Sequence, residues 1–187
     1  MILRRLDSIN RSQKGFTFIE MIIAIAISSA IGGGILLSIY QTSSYQAMDK
    51  ARMICVKQLE NAIHYIIQDA QMAQKVTLAG DDDNFPIVLS WTEWDVTSAE
   101  YEHVVTYTLK GSGLSELERQ HSAYDVSGSE TKNELNAVAR YIELDSTKTN
   151  CEYVGGVLNL ELTATITGFP KEISETRDVE IVRRTDW

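Results

Sequence analysis

One carboxylate stands where a charge is hard to place. Glu20 is the only charged residue between Phe16 and Tyr40 in an otherwise apolar run, and it follows directly on Lys14-Gly15-Phe16-Thr17-Phe18-Ile19. A charge inside such a run is costly unless it meets a partner or reaches water. Two chemistries fit that requirement. Glu20 can sit near an interface and snorkel outward, as in an ordinary signal anchor. Alternatively it can pair with a cation brought to it inside a bundle of helices, where either charge left alone would be strongly unfavourable.

The remaining residues with chemical potential are sparse. His64, His103 and His121 show no metal-ligand spacing, and the sequence holds no nucleophile elbow, no His-Glu-x-x-His and no Cys-x-x-Cys. Their plain reading is structural. Asp81, Asp82 and Asp83 carry oxygen ligands of the kind calcium takes, but an EF-hand alternates its ligands and this tract does not, so a solvated loop is the simpler reading. Cys55 and Cys151 are the only cysteines. An exported chain permits them to pair, and two buried or unpaired thiols fit equally well. The reading that follows is of a protein without catalytic residues and without a cofactor.

The elements that position Glu20 come from periodicity. The 25 residues 16–40 would reach roughly 37 Å as a helix, enough to cross the hydrocarbon core of a bilayer. Ser28, Ser29 and Gly32-Gly33-Gly34 interrupt the aliphatic run. Small residues let helices approach closely in membranes, although each glycine weakens a helix by roughly 1 kcal/mol relative to alanine. From residue 45 to 75 the pattern becomes amphipathic, with Ala51, Ile54, Leu59, Ala62, Ile63, Ile66, Ile67 and Ala70 at three- and four-residue spacing. No proline interrupts residues 16–75. One long helix is predicted, membrane-spanning in its first half and amphipathic in its second.

Beyond the acidic turn at residues 80–84, strand patterns take over. Residues 87–91, 103–109, 114–120, 157–166 and 179–183 read as strands, Lys110-Gly111-Ser112-Gly113 as a hairpin turn, and 137–144 as either a short helix or a strand. Residues 122–136, rich in Gly, Ser and charge, read as an exposed loop with His121 at its edge. The predicted fold is α+β: a long N-terminal helix packed on a mostly antiparallel sheet of four or five strands.

Charge narrows the partners. The chain carries a net charge of −9. Arg4, Arg5, Arg11 and Lys14 against Asp7 give the first fifteen residues a net of +3, so without them the charge is −12. That balance disfavours a nucleic-acid surface, which needs clustered basic residues. The basic N terminus stays in the cytoplasm by the positive-inside rule and the rest of the chain is exported, in a single-pass cytoplasmic (inner) membrane protein.

A basic segment ending in Lys14-Gly15, then Phe16, an apolar run and a glutamate at the fifth position after the glycine resembles the class III signal of type IV pilins and type II secretion pseudopilins. The resemblance implies a leader, residues 1–15, cut by a prepilin peptidase between Gly15 and Phe16, with methylation of Phe16 by the same enzyme. It implies an assembly helix at 16–40, an amphipathic helix at 41–75, a strand-rich soluble domain at 76–187 and a pilin-like roll. It also implies partnership with other pilins or pseudopilins and with the inner-membrane assembly platform, and a role for Glu20 opposite the new ammonium of Phe16, one helical turn away. The segment Asn136-Ala137-Val138-Ala139-Arg140-Tyr141-Ile142 and the hairpin strand Val105-Thr106-Tyr107-Thr108-Leu109 look most like minor pilin W and minor pseudopilin J. Glu20 argues against minor pseudopilin K, and the lack of a proline in the first membrane half argues against a major pilin. The sequence thus points to a structural subunit, with a pilus-tip adhesin or substrate-binding module as the alternative and a membrane-anchored enzyme as the remote third.

Overall fold

The computed structural model describes residues 15–79, 84–96, 99–168 and 171–182. The chain divides into two compact units, Met1–Tyr45 and Gln46–Trp187. Helix α1 (Phe18–Met72) begins in the first and ends in the second. Asp81, Asp82 and Asp83, Arg183, Trp187 and residues 1–14 of the expected leader 1–15 lie outside the described residues.

In the first unit the helix presents apolar side chains outward on all sides. Every residue from 16 to 40 is exposed except half-buried Gly32. The segment is long and apolar enough to cross a membrane. Four of its hydroxyls are satisfied within the helix: Ser29 donates to Ala26 O, Ser38 to Gly34 O, Thr42 to Ser38 O and Ser44 to Tyr40 O, at 2.9–3.1 Å. Back-bonding of this kind satisfies a polar side chain within its own helix. A Cβ added at Gly32, Gly33 or Gly34 would meet nothing within 4 Å. The helix itself therefore does not demand the glycines.

In the second unit α1 buries Ala51, Cys55, Leu59, Ala62, Ile66, Asp69 and Ala70, a stripe at helical spacing. Ile63 and Ile67 flank it, partly buried. Ile54, expected in the stripe, is 43% exposed, because the face in contact with the sheet runs through Cys55 instead.

Among the described residues the sheet has eight strands, not the four or five expected: β1 (Lys75–Leu78), β2 (Ile87–Trp94), β3 (Glu100–Lys110), β4 (Leu114–Asp125), β5 (Glu130–Glu143), β6 (Asn150–Val154), β7 (Val157–Ile166) and β8 (Ile173–Val182). Its order is β1-β2-β3-β4-β5-β7-β6, with β8 on β7, and every pairing is antiparallel. The face against α1 carries Ile87, Leu89, Val105, Tyr107, Leu117, Leu158, Leu160 and Leu162. A long helix packed on an antiparallel sheet makes this an α+β fold.

Three local readings change. Residues 137–144, ambiguous in sequence, fall mainly in β5. The expected loop at 122–136 is mostly strand, since β4 continues to Asp125 and β5 starts at Glu130. The first eight residues of β5 are exposed, so no apolar alternation marked them; their backbone pairing with β4 makes the strand. His121 accordingly lies within β4 and is 8% exposed, not at a loop edge.

The turn before β4 does require glycine. Gly111 has φ +136°, and a Cβ there would come within 3.2 Å of Leu114 O and Ser115 Cα. Farther on, Arg140 and Tyr141 of β5 together oppose Glu116 alone, since Ser115 pairs with Ile142 and Leu117 with Ala139. Tyr141 takes φ 65° to make this bulge.

Candidate functional site

The N-terminal site is built by the first turn of α1. Thr17 is the N-cap: the helix starts at Phe18, and Met21 N–H donates to Thr17 O at 3.3 Å. Glu20 sits at the third helical position and reaches back. Its Oε2 accepts from Thr17 N–H at 2.8 Å and from the Thr17 hydroxyl at 2.9 Å, while Glu20 N–H donates to Thr17 Oγ1 at 3.4 Å. This is a capping box, in which the N-cap side chain and the third residue satisfy each other's free backbone donors.

Sequence reasoning treated Glu20 as a charge in search of a cation and passed over its cap. The signal was present, for Thr17-Phe18-Ile19-Glu20 before an apolar run is the capping-box pattern. The carboxylate also lies at the positive end of the helix dipole. The arrangement holds Glu20 at the mouth of the helix, one turn from Phe16, whose side chain is 91% exposed. Gly15 is open too, with no atom within 4 Å of an added Cβ. The peptide between Gly15 and Phe16 is therefore free of steric cover from the described chain.

The other residues singled out from sequence lie in the second unit. Cys55 and Cys151 are both buried free thiols. Cys55 Sγ lies 3.9 Å from Ile173 O, and Cys151 Sγ lies 3.5 Å from Asn84 Oδ1. Burial pushes the Cys151 thiol up to about 12, and burial together with Glu175 raises that of Cys55. Neither is poised as a nucleophile. Among the described residues no three His, Cys, Asp or Glu side chains are grouped to hold a metal. His64 stays apart on the helix, whereas His103 and His121 are brought within 3.0 Å of each other.

A buried polar cluster that the sequence did not announce joins α1 to the sheet. Asp69 accepts from Arg119 and from the Tyr107 hydroxyl. Desolvation and the Asp69 charge push the Tyr107 phenol well above its ordinary range, and the Asp69 hydrogen bonds raise Arg119 further. Both groups thus keep their protons. A shallow depression beside them is lined, among the described residues, by Tyr65, Gln68, Gln71, Met72 and Val182 together with Asp69 and Arg119.

Comparison with curated proteins finds no match, and comparison with solved structures finds none. The match that does occur falls on the N-terminal site: residues 10–36 fit the family model described as the prokaryotic N-terminal methylation motif. That stretch contains Gly15, Phe16, Thr17 and Glu20 together with the first turns of α1. Over these residues the chain carries the motif typical of type IV pilins and pseudopilins, which implies processing by a prepilin peptidase and a membrane-anchored, pilin-like subunit.

Proposed function

We propose that this chain is a minor pilin or pseudopilin, a structural subunit of a type IV pilus or of a type II secretion pseudopilus, placed in its tip or initiation complex. It is cut between Gly15 and Phe16, methylated on Phe16, held in the inner membrane by residues 16–40 with its strand-rich domain exported, and drawn into the filament by the assembly platform. It acts through packing, without catalysis and without a cofactor. The observation that carries this reading is the methylation motif at residues 10–36 running into an exposed apolar helix with one charged residue. Such a helix has a membrane as its first environment and neighbouring helices as its second.

The deciding experiment is the intact mass and N-terminal sequence of the membrane-extracted protein from cells with and without prepilin peptidase. A chain beginning at methylated Phe16 only when the peptidase is present supports the proposal. An uncut chain in both strains returns the protein to the signal-anchor class. Abundance in sheared filaments then separates a tip component, present at a few copies, from a major subunit.

A second reading, a tip adhesin, rests on a different observation. Trp94, Val96 and Val126 are 64%, 99% and 79% exposed at one end of the sheet. Exposed apolar side chains gathered at strand ends are a usual feature of contact surfaces. Loss of surface attachment in a Trp94→Ala strain with normal filament number would favour it.

A further inference from the structure

His103 and His121 are diagonal neighbours on the inner face of the sheet, because β3 and β4 pair with His103 opposite Ala123 and Val105 opposite His121. Nδ1 of His103 lies 3.0 Å from Nε2 of His121. Trp91, opposite His103 in β2, stacks on its ring at 5.3 Å with 8° between the planes, and lies 5.8 Å from the ring of His121. On its other side His103 Nε2 lies 3.3 Å from Glu93 Oε2. Trp91 and His121 are each 8% exposed. The charged groups facing the pair are Glu93 on β2, Asp69 on α1, Arg119 on β4 and Lys132 on β5. Glu134, opposite His121 across the β4–β5 pairing, is held by Lys132 at 3.3 Å.

Two nitrogens 3.0 Å apart accommodate one hydrogen between them. With both rings neutral, His103 donates from Nε2 to Glu93 and accepts at Nδ1 from the Nε2–H of His121. One added proton is taken without breaking anything: the shared hydrogen moves to Nδ1 of His103, and the incoming proton resides on Nδ1 of His121. His103 is then the cation, donating to Glu93 on one side and to His121 on the other. A second proton sets N–H against N–H and cation against cation. No acceptor remains in the gap.

We propose that His103 and His121 form a one-proton switch, closed with zero or one added proton and opened by the second, which parts the rings and releases Trp91 at that end of the sheet. Burial, then Lys132 and Arg119, holds the proton affinity of His121 below the ordinary histidine range. Glu93 lies beside His103 and the cations lie beside His121, so the second proton, which charges His121, requires acid. An exported domain experiences such acid directly, without cytoplasmic buffering.

The test is a titration of the full chain in detergent micelles from about pH 8 to 4, following the imidazole signals by NMR in protein with ¹³C-labelled histidine, together with the Trp91 indole signal. Protonation of the pair is expected in two separate steps, the later one being that of His121. The Trp91 signal should move with the second step. In His103→Gln the midpoint of His121 should rise, because the neighbouring cation is gone. Coincident midpoints, a Trp91 signal that follows the first step, or no His121 step above about pH 4 would each overturn the switch. If His103→Gln does not fold, the titration of the unaltered chain still decides.

Discussion

Arg119 grips Asp69 with two parallel hydrogen bonds, Nε to Oδ2 at 2.7 Å and Nη2 to Oδ1 at 2.8 Å. The pair joins β4 to α1 where Asp69 is 3% exposed, and Tyr107 from β3 donates a third hydrogen bond to the same carboxylate. A bidentate pair fixes direction as well as distance, so it sets how the helix lies on the sheet. Removing one partner leaves the other as an uncompensated charge.

Asp69→Ala should therefore destabilise the second unit by about 3–5 kcal/mol, the usual consequence of breaking a buried pair from one side. Replacing both, as in Asp69→Leu with Arg119→Met, should recover a large part of that loss. Chemical unfolding of the full chain in detergent, followed by far-ultraviolet circular dichroism, measures both. A double variant no better than Asp69→Ala would show that packing around the pair, and not the orphaned charge, governs the cost.

Gly15→Val should abolish processing while leaving the protein folded. A Cβ at position 15 meets nothing within 4 Å among the described residues, so the substitution disturbs no described contact. Its effect falls on whatever must approach the peptide from outside. Accumulation of the uncut precursor, read by intact mass, is the expected outcome; normal cleavage would mean the peptidase tolerates a branched side chain there.

The cap that Glu20 makes and the ion pair proposed for it can be told apart. As the third residue of the capping box it needs only an oxygen acceptor; as partner to a new ammonium at Phe16 it needs a charge. Glu20→Gln keeps the first and removes the second, whereas Glu20→Leu removes both. We expect both variants to insert and to be cleaved, and neither to enter filaments, measured by subunit recovery after shearing. Assembly of Glu20→Gln at the normal level would make the cap sufficient and the charge dispensable.

How far the sequence revealed all this depends on the range of the contact. The 3.6-residue stripe through Leu59, Ala62 and Ile66 was legible because a helix writes its buried face locally. So was β7, where leucines alternate with polar residues. Asp69 was not, since its partners Tyr107 and Arg119 lie 38 and 50 residues away on two other strands. His103 and His121 become neighbours only once the β3–β4 register is known, although the Gly111 to Gly113 turn already hinted at it. The first half of β5 was invisible for the opposite reason: with both faces in water, nothing distinguishes its residues from a loop.

The two cysteines allow a last prediction, with its pH dependence worked out. The reactive species is the thiolate, and burial raises both thiols, Cys151 to about 12. Each folded thiol thus holds its proton more tightly than in the unfolded chain, where ionisation begins near the ordinary value. Protonated burial favours the fold at neutral pH, and that advantage shrinks as pH rises above about 8.5, where the unfolded chain starts to release its protons. In the folded protein at about pH 8, maleimide should label neither cysteine; after denaturation without reductant it should label both. Mass spectrometry distinguishes zero from two added labels. Zero labels in the denatured, unreduced protein would mean that Cys55 and Cys151 are joined, and two labels in the folded protein would mean that the cover over the two thiols, at Ile173 and Asn84, opens readily.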